Sequence, residues 1–456
     1  MKYNIEKKIN KEIFRGYDIR AIYGTQLTED TAYTIGLAFG TYVQNKGFKN
    51  CVVGHDARES SDSLTNALLT GILETGLNVS YIGLVTTPMY YFAQKNLNIE
   101  PGIMVTASHN PREYNGFKMA FDSFGNACGK MIQDFRIFTE SLDFIKGNGI
   151  ITEIDIKNDY LNLVKNSIDL GKRKIKVVVD AANATGSIIA PSVMEMFKDK
   201  IEFIPLYMDL DPTFPNHHPD PCVEKNNEML KKKVKENNAD LGIGLDGDAD
   251  RVGIIDENGN MIYIDLLSII IWRDIFNKVN NKSALFDVKC SKSLQDELIK
   301  LGIKPVCYRT GNSYMKAKMK NDNFDFGAEY SGHVFFNDKW PNIDDGLYAG
   351  LRIIEILSKT KKSLSNHLDG INKYCATPEI KIKTTDSEKF KQVDKVLKYC
   401  AEKGYDVNDI DGARVTFNDG WALVRASNTG PDITVRFEAT NNNRLEEIKE
   451  EFMSLI

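Results

Sequence analysis

Ser108, His109 and Asn110 place a hydroxyl, an imidazole and an amide side by side in a loop that Pro111 closes. The loop follows a short apolar run, Gly102 to Val105, which predicts a buried strand. A serine displayed on a turn can serve as a nucleophile, but it can equally cap the helix of an ordinary strand-to-helix loop. Because neighbouring side chains point apart, His109 need not be the base for Ser108. On its own, the loop leaves both interpretations open.

Three aspartates at alternate positions form a second candidate site. Asp246, Asp248 and Asp250 follow a predicted strand, Asp240 to Leu245. Alternate side chains after a strand can converge on one side, and three such carboxylates repel one another unless a cation neutralises them. Oxygen ligands without His or Cys favour Mg²⁺.

This acidic loop has two other interpretations. An EF-hand calcium loop is excluded, because Arg251 stands where that loop needs a glycine and Val252 to Ile255 predicts a strand. A solvated acidic turn stays open, although such turns rarely lie between two apolar strands.

Two later loops carry groups suited to sugar phosphates. Glu329, Ser331 and His333 stand between apolar runs and can hydrogen-bond sugar hydroxyls or move protons, although exposed loops often carry such residues. Residues 425–431 combine a guanidinium, hydroxyls, an amide and flexible backbone into a cradle for a phosphate. An anion bound there would favour closure of the C-terminal module over a substrate.

Further cations stand near predicted turns. Arg15, Tyr17 and Arg20 fall in one N-terminal turn, and Lys289 follows a predicted strand. Residues 309–312 start a predicted helix, where backbone N–H groups bind anions readily. Surface ion pairs would explain the N-terminal turn equally well.

The composition narrows the class of protein. The 456 residues suffice for about three or four domains. Hydrophobic residues make up 42% and charged residues 27%, as in globular proteins, and the net charge of −5 does not suggest a nucleic-acid binder. No apolar run reaches the roughly 18 residues of a membrane helix, and the N-terminus lacks a signal-peptide core. We expect a cytoplasmic protein with no membrane or nucleic-acid partner.

Cysteine and histidine usage argues against a structural metal. The seven cysteines are odd in number and widely spaced, which predicts reduced thiols. His217 and His218 stand in a proline-rich turn without a third His or a Cys at ligand spacing, so a solvated loop is favoured over a metal site.

Strand and helix patterns alternate through most of the chain. This alternation predicts mostly parallel α/β layers in three cycles. From about residue 369 the pattern changes to a smaller α+β module. The predicted domains are residues 1–155, 156–257, 258–367 and 368–456.

Five motifs, taken in order, resemble the α-D-phosphohexomutase family, most closely its bacterial phosphomannomutase/phosphoglucomutase branch. The motifs are FRGYDIR at 14–20, TASHNP at 106–111 with GFK at 116–118, DGDADR at 246–251, EYSGH at 329–333 and RASNTGPDITVRFEA at 425–439. The resemblance covers essentially the whole chain. It implies three related α/β mixed-sheet domains and a C-terminal α+β domain in a heart-shaped molecule with a central cleft.

The resemblance also implies roles for the matching residues. Ser108 would be the phosphoserine, and Mg²⁺ would be held by its phosphate with Asp246, Asp248 and Asp250. Charge neutralisation and proton transfer would fall to Arg20, Lys118, Arg251 and His333. Substrate contacts would come from Tyr17, Lys289, Glu329, Ser331, His333, Arg425, Ser427, Asn428, Thr429 and Arg436.

Some positions depart from the branch. Ala328 and Tyr330 stand where Gly and Met are more usual, Asn312 where His is common, and Gly430 where Thr is more usual. These changes concern substrate preference more than the type of reaction.

The expected function is interconversion of hexose 1-phosphate and hexose 6-phosphate, of mannose or glucose, through a hexose 1,6-bisphosphate. The partners are then small sugar phosphates, and the chain is a monomer or a weak homo-oligomer. A phosphoglucosamine mutase is the nearest alternative. A Mg²⁺-dependent sugar phosphatase and a catalytically silent sugar-phosphate sensor are more distant ones.

Overall fold

The computed structural model describes residues 2–385, 387–427 and 430–456. The chain divides into two compact units. The first unit comprises Met1–Tyr263 and Ser331–His367, and the second comprises Ile264–Tyr330 and Leu368–Ile456.

The longer segment of the first unit alternates strands with helices. Its strands are β1 (Ile19–Ile22), β2 (Asn50–His55), β3 (Asn78–Leu84), β4 (Gly102–Val105), β5 (Tyr114–Ala120), β6 (Ile151–Glu153), β7 (Ile175–Asp180), β8 (Ile201–Leu206), β9 (Leu241–Leu245), β10 (Val252–Asp256) and β11 (Met261–Ile262). Its helices are α1 (Glu29–Gln44), α2 (Ser61–Glu74), α3 (Thr87–Asn96), α4 (Lys130–Ser141), α5 (Lys157–Ser167), α6 (Ala190–Met196) and α7 (Glu228–Glu236).

The segment from 264 to 330 belongs to the second unit. It contains α8 (Ile264–Ile275), β12 (Ser283–Asp287), α9 (Lys292–Lys300), β13 (Lys304–Tyr308), α10 (Asn312–Asp322) and β14 (Phe326–Ala328). The chain then returns to the first unit with β15 (Val334–Phe336) and α11 (Gly346–Ser358).

The remaining elements complete the second unit. They are β16 (Cys375–Ala376), β17 (Ile380–Lys383), α12 (Glu388–Lys403), β18 (Asp406–Asn408), β19 (Ala413–Phe417), β20 (Gly420–Ala426), β21 (Asp432–Ala439) and α13 (Asn442–Met453).

Two mixed sheets organise the first unit, and each contains one hairpin that matters for the site. The first sheet has the order β1-β5-β4-β2-β3-β6, and its antiparallel β4–β5 pair encloses the serine loop. The second has the order β11-β10-β9-β7-β8, and its antiparallel β9–β10 pair encloses the acidic loop. Each candidate loop is therefore held at both ends by a strand pair.

Side-chain chemistry explains the interior position of strand β7, between β9 and β8. Its sequence, IKVVVD, is rich in β-branched residues, and Val177, Val178 and Val179 are completely buried. The strand pairs in parallel with β8 and β9. Parallel strands covered on both faces favour such runs, because each face buries apolar surface.

The second unit contains a parallel and an antiparallel sheet. Strand β12 pairs in parallel with β13 and β14. The C-terminal sheet has the order β16-β21-β20-β19-β18, with β17 also paired to β21. Val396 of α12 and Ile448 of α13 are buried in one apolar core with Phe437 of β21. This helix-covered sheet confirms the predicted α+β module.

The structure differs from the predicted elements at three places. Strand β5 was not predicted, so the serine loop joins two strands instead of a strand and a helix. The sequence predicts one charged helix from Glu224 to Glu236, whereas the structure has a 3-10 turn, Glu224–Asn227, followed by α7. The sequence predicts a helix from Ile343 to Leu357, but helix α11 begins at Gly346 because Asp345 caps it and accepts from the Tyr348 N–H at 2.9 Å.

Two further observations concern the described residues. None of their helices combines the length and the apolar character needed to cross a bilayer. All seven cysteines lie in this part of the chain, and none forms a disulfide bond.

The cap Asp345 gives a testable pH dependence of stability. Burial raises the pKa of Asp345 to about 7, against hydrogen bonds from Tyr160 and the backbone that lower it. Its carboxyl is then protonated in the folded state at pH values where the unfolded chain, with an Asp pKa of about 3.9, has lost the proton. Stability from this group is present below about pH 4 and is lost as the pH rises through 7.

We expect Asp345→Asn, which keeps a cap oxygen, to lose less thermal stability than the parent protein between pH 5 and pH 7.5. Melting temperatures at the two pH values measure this. Equal losses in both proteins would contradict the assignment.

Candidate active site

The serine loop holds Ser108 in a strained backbone conformation. Ser108 has φ of +50°, in the left-handed region that favours glycine, and its residue is 1% exposed. A non-glycine residue in this region costs about 1–2 kcal/mol. Thr106 Oγ1 accepts a hydrogen bond from the Ser108 N–H at 2.9 Å. Such strain persists only where the surroundings over-determine it, and it is concentrated at functional sites.

The acidic loop meets the serine loop directly. The Ser108 hydroxyl donates a 2.8 Å hydrogen bond to Asp246 Oδ2, across 138 residues of sequence. Gly247 allows this approach, because a Cβ there would lie 2.3 Å from the Ser108 carbonyl oxygen. Asp246, Asp248 and Asp250 are all completely buried. The interpretation of the triplet as a solvated acidic turn is therefore wrong.

Lys118 partly balances the three carboxylates. It lies on β5, where it pairs with Met104 of β4, instead of in a loop. Its ammonium donates to Asp248 Oδ2 at 2.7 Å and to Asp250 Oδ2 at 2.5 Å. The alternation of side chains along β5 directs Lys118 to this group.

Charge remains uncompensated despite Lys118. Burial and repulsion from Asp248 and Asp250 raise the pKa of Asp246 well above its usual range. Burial opposes ionisation of Asp248, but the Lys118 ammonium outweighs it and lowers the pKa of that carboxyl. The same carboxylates raise the pKa of Lys118, although burial lowers it. The Arg251 guanidinium also contributes, since its Nε lies 4.0 Å from Asp246 Oδ2. Two cations beside three carboxylates leave room for another cation.

The carboxylates fit a divalent cation. One ligand oxygen from each of Asp246, Asp248 and Asp250 lies within 4.8 Å of the others. The Oδ1 atoms of Asp248 and Asp250 are buried and have no hydrogen-bond partner among the described residues. Buried carboxylate oxygens without donors are costly, and a donor set made only of oxygen suits a hard cation.

Arg251 links the acidic loop to His333 at the start of β15. The Arg251 backbone N–H donates to Asp246 Oδ1 at 3.1 Å, and its Nε donates to His333 Nε2 at 3.0 Å. His333 Nδ1 lies 3.0 Å from Asp344 Oδ2 and 3.6 Å from Asp250 Oδ1. His333 is 4% exposed, so its interpretation as an exposed loop residue is wrong.

Arg20 reaches the serine loop from β1. It donates to Asn110 Oδ1 at 2.7 Å and to Asp18 Oδ2 at 2.5 Å. Burial lowers the pKa of Arg20, but the Asp18 carboxylate outweighs it and the pKa is raised. Tyr17 lies close enough to contribute to the charge environment of Arg20. Ser331 also lies in the first unit, half-buried just before His333.

The second unit has its own cluster of predicted substrate residues. Lys289 Nζ donates to Glu379 Oε2 at 3.2 Å. Arg425 Nε donates to Asp411 Oδ2 at 2.9 Å, and its Nη2 lies 3.4 Å from Asp411 Oδ1. Burial lowers the pKa values of Lys289 and Arg425, but the neighbouring carboxylates raise these pKa values by a larger amount. Both side chains therefore stay charged.

Other predicted residues of the second unit are also buried. Arg436 lies over the Tyr330 ring, 3.9 Å from its centroid, and Glu329 accepts a hydrogen bond from the Gly311 N–H. Lys389 Nζ donates to the Ser427 carbonyl at 2.9 Å. Predicted residues Asn428 and Thr429 lie outside the described residues.

Several groups around the first-unit site were not predicted from the sequence. The Thr87 hydroxyl at the start of α3 donates to Asp248 Oδ2 at 2.6 Å, and its N–H donates to the Asp248 carbonyl at 3.0 Å. His109 Nδ1 lies 3.3 Å from Ser108 Oγ, although the side chains of these neighbouring residues were expected to point apart. Burial, with Arg251 and Arg20, lowers the pKa of His109 well below its usual value. The Thr86–Thr87–Pro88 helix start was the one available signal for Thr87.

His217 of the proline-rich turn is paired with a carboxylate. His217 Nε2 lies 3.0 Å from Asp180 Oδ2, and His217 and His218 belong to neither of the two metal-compatible clusters among the described residues.

Four family models cover almost the whole chain. They are described as phosphoglucomutase/phosphomannomutase, alpha/beta/alpha domain I at residues 11–135, alpha/beta/alpha domain II at 158–259, alpha/beta/alpha domain III at 264–374, and C-terminal domain at 379–455.

Curated relatives and a solved structure agree with these models. A phosphomannomutase/phosphoglucomutase of Pseudomonas putida is 38% identical over 99% of this chain and 97% of its own length. A phosphoglucomutase of Neisseria meningitidis is 37% identical over 98% of this chain and 97% of its own. The crystal structure of a phosphoglucomutase/phosphomannomutase family protein from Burkholderia thailandensis has a TM-score of 0.90 at 34% identity, covering 98% and 97% of the two chains.

The close approach of the two loops predicts the effect of Gly247→Ala. The added methyl would push against the Ser108 carbonyl. A displacement of about 1 Å at a reacting group can cost on the order of 10²-fold in turnover. We expect kcat per folded molecule to fall by about 10- to 100-fold and the melting temperature to fall as well, because a Cβ this close to a backbone oxygen forces the loops to shift. Unchanged turnover in a folded variant would show that the loops tolerate separation.

Proposed function

We propose that Ser108 carries the phosphoryl group in this chain. The chain belongs to the phosphoglucomutase/phosphomannomutase family and is a phosphohexomutase. The observation that supports the role of Ser108 most strongly is the 2.8 Å hydrogen bond from the Ser108 hydroxyl into a buried group of three aspartates. A buried serine on a strained turn, directed at carboxylates, has little structural value of its own.

The proposed step transfers a phosphoryl group from phosphoserine to a sugar hydroxyl. The bond between Ser108 Oγ and phosphorus breaks while a bond forms from the hydroxyl oxygen of a hexose 1-phosphate or 6-phosphate to phosphorus. The hydroxyl proton leaves the sugar, and one proton returns to Ser108 Oγ. The product is a hexose 1,6-bisphosphate, which turns over and returns its other phosphoryl group to Ser108 by the reverse step.

We propose Mg²⁺ as the cofactor, held by the Ser108 phosphate and by Asp246, Asp248 and Asp250. A bound divalent cation offsets the negative charge that phosphoryl transfer gathers on oxygen. The buried Oδ1 atoms of Asp248 and Asp250 support the assignment, because they have no donor among the described residues.

The cationic side chains have separate roles in this proposal. Lys118, Arg20 and Arg251 supply positive charge near the reacting phosphate, since each is buried within the group that surrounds Ser108. His333 carries the one imidazole among the predicted catalytic residues, and we assign proton transfer to it because imidazole is suited to that task near neutral pH.

Residues of the second unit are proposed to bind the substrate. Lys289 and Arg425 are buried cations that suit a phosphate, and Ser427 and Arg436 would support them. Tyr17 would add a further contact to the substrate. The predicted contacts of Asn428 and Thr429 complete this proposal from the sequence alone.

Glu329 and Ser331 are proposed to recognise the sugar 3- and 4-hydroxyls. These hydroxyls have the same orientation in glucose and mannose, so recognition of them alone admits both sugars. We therefore propose mannose and glucose phosphates as substrates. Turnover of glucose, mannose and glucosamine 1-phosphates, compared at equal concentration, separates this proposal from a glucosamine-phosphate preference.

We also propose the location, oligomeric state and domain bounds that the sequence predicts. They are a cytoplasmic location, a monomer or weak homo-oligomer, and domains at 1–155, 156–257, 258–367 and 368–456. The absence of disulfide bonds among the seven described cysteines supports a reducing compartment.

Intact mass spectrometry tests the phosphoryl carrier. After incubation with a hexose 1,6-bisphosphate, we expect the parent protein to gain one phosphate and Ser108→Ala to gain none, because Ser108 Oγ forms the bond to phosphorus. Ser167→Ala is the matched control, since it removes a serine hydroxyl of α5 that donates to the Leu163 carbonyl at 2.8 Å, away from the acidic loop. A gain of phosphate by Ser108→Ala would show that another residue carries the phosphoryl group. Free phosphate released faster than isomerised product would favour a phosphatase.

Calorimetric titration with Mg²⁺ tests the metal ligands without an activity assay. We expect Asp248→Asn to weaken binding by at least about 10-fold, because loss of supporting residues alone costs 10- to 100-fold in metal sites. Glu257→Gln is the control, since that carboxylate accepts from the Ser365 hydroxyl at 2.5 Å. Equal Mg²⁺ affinity in the three proteins would overturn the assignment.

A further inference from the structure

Arg58 binds the backbone of the serine loop with an unusual number of contacts. Its Nη2 donates to the carbonyl oxygens of Ser108 and Asn110, both at 2.6 Å. Its Nη1 donates to the carbonyl oxygens of Pro111 at 2.8 Å and Tyr114 at 2.9 Å. One guanidinium therefore closes a loop that begins at Ser108 and ends at the first residue of β5.

The surroundings of Arg58 fix this guanidinium in place. Arg58 is 4% exposed, and its Nε lies 3.3 Å from Asp56 Oδ2. The guanidinium also lies over the Phe214 ring, 5.5 Å from its centroid. Burial lowers the pKa of Arg58, although Asp56 opposes this. Both terminal nitrogens of this buried cation donate to carbonyl oxygens of the serine loop, so the loop supplies most of its hydrogen-bond partners.

Asp56 connects the same guanidinium to the other end of the Ser108 peptide. Asp56 Oδ2 accepts from the Thr106 hydroxyl at 2.7 Å, and Thr106 Oγ1 accepts from the Ser108 N–H at 2.9 Å. The Ser108 carbonyl is bound by Arg58. Both ends of the strained residue thus depend on one Asp56–Arg58 pair.

We propose that Arg58 is a positioning residue for phosphoryl transfer, which holds Ser108 in the left-handed conformation that directs its Oγ to the aspartates. Arg58 makes contact with the backbone of the nucleophile's loop and not with the reacting atoms. The inference rests on the proposed role of Ser108 as the phosphoryl carrier.

The proposed reaction requires accurate placement of Ser108 Oγ. Ser108 Oγ must be a leaving group in one half of the reaction and a nucleophile in the other, so its geometry must serve an in-line approach both times. A loop free to relax from φ of +50° would move Oγ relative to Asp246. Substrate affinity would not change with it, because the proposed sugar and phosphate contacts lie on other residues.

Arg58→Lys tests the inference with the positive charge retained. A lysine ammonium lacks the planar fork and cannot reach four carbonyl oxygens at once. We expect kcat and the single-turnover rate of Ser108 phosphorylation by a hexose 1,6-bisphosphate each to fall by about 10- to 100-fold. We expect KM for hexose 1-phosphate to stay within about threefold of the parent. All rates are expressed per folded molecule, because partial unfolding also lowers apparent kcat at unchanged KM.

Arg352→Lys is the matched control. Arg352 is 3% exposed and donates to both carboxylate oxygens of Asp338 at 2.8 Å, so its loss removes an equally buried forked contact elsewhere in the first unit. We expect its phosphorylation rate per folded molecule to match the parent. A wild-type phosphorylation rate in Arg58→Lys, or equal losses in the two variants, would overturn the inference.

A second variant and the parent protein keep the experiment decisive. If Arg58→Lys does not fold, Phe214→Leu removes the ring beneath the guanidinium and leaves every hydrogen-bonding atom in place. A slower phosphorylation of Ser108 at unchanged KM then supports the inference, and an unchanged rate overturns it. Failure of the proposed function looks different, because the parent protein itself would then gain no phosphate.

Discussion

Three carboxylates buried around one hydroxyl are the constraint on which the site depends. Asp246, Asp248 and Asp250 are completely buried, and burial together with repulsion among them raises the pKa of Asp246. Lys118 offsets part of the charge, and it can do so because β5 lies beside β4 and carries the lysine opposite Met104. The proposed divalent cation would explain why so many polar and charged side chains are buried in a unit otherwise built from apolar strands.

The strand pairs supply the rigidity that this charge requires. The β4–β5 hairpin carries the serine loop, and the β9–β10 hairpin carries the acidic loop. Gly247 allows the loops to touch, and the Asp56–Arg58 pair binds the Ser108 peptide from the other side. Paired strands thus present two short irregular segments to each other. Such support would hold the proposed carrier Ser108 precisely enough for group transfer.

Sequence reasoning could predict what is local along the chain. The spacing of Asp246, Asp248 and Asp250 is a local signal, and so is the run of β-branched residues in β7. The Arg58 and Thr87 contacts could not be predicted, because Thr87 and Asp248 are 161 residues apart and meet only through the fold. Strand β5 was missed for a related reason: its sequence, YNGFKMA, contains two residues that disfavour strands, and its pairing with β1 and β4 overrides that preference.

The central claim is that one divalent cation is shared by a phosphate on Ser108 and the three aspartates. Phosphorus NMR of the phosphorylated protein with Mn²⁺ in place of Mg²⁺ tests it most directly, since a paramagnetic ion broadens the resonance of a phosphate that it binds. The account predicts that one equivalent of Mn²⁺ broadens the phosphoserine resonance severely and that added Mg²⁺ restores it. A phosphoserine resonance that stays sharp while Mn²⁺ is bound would contradict the account.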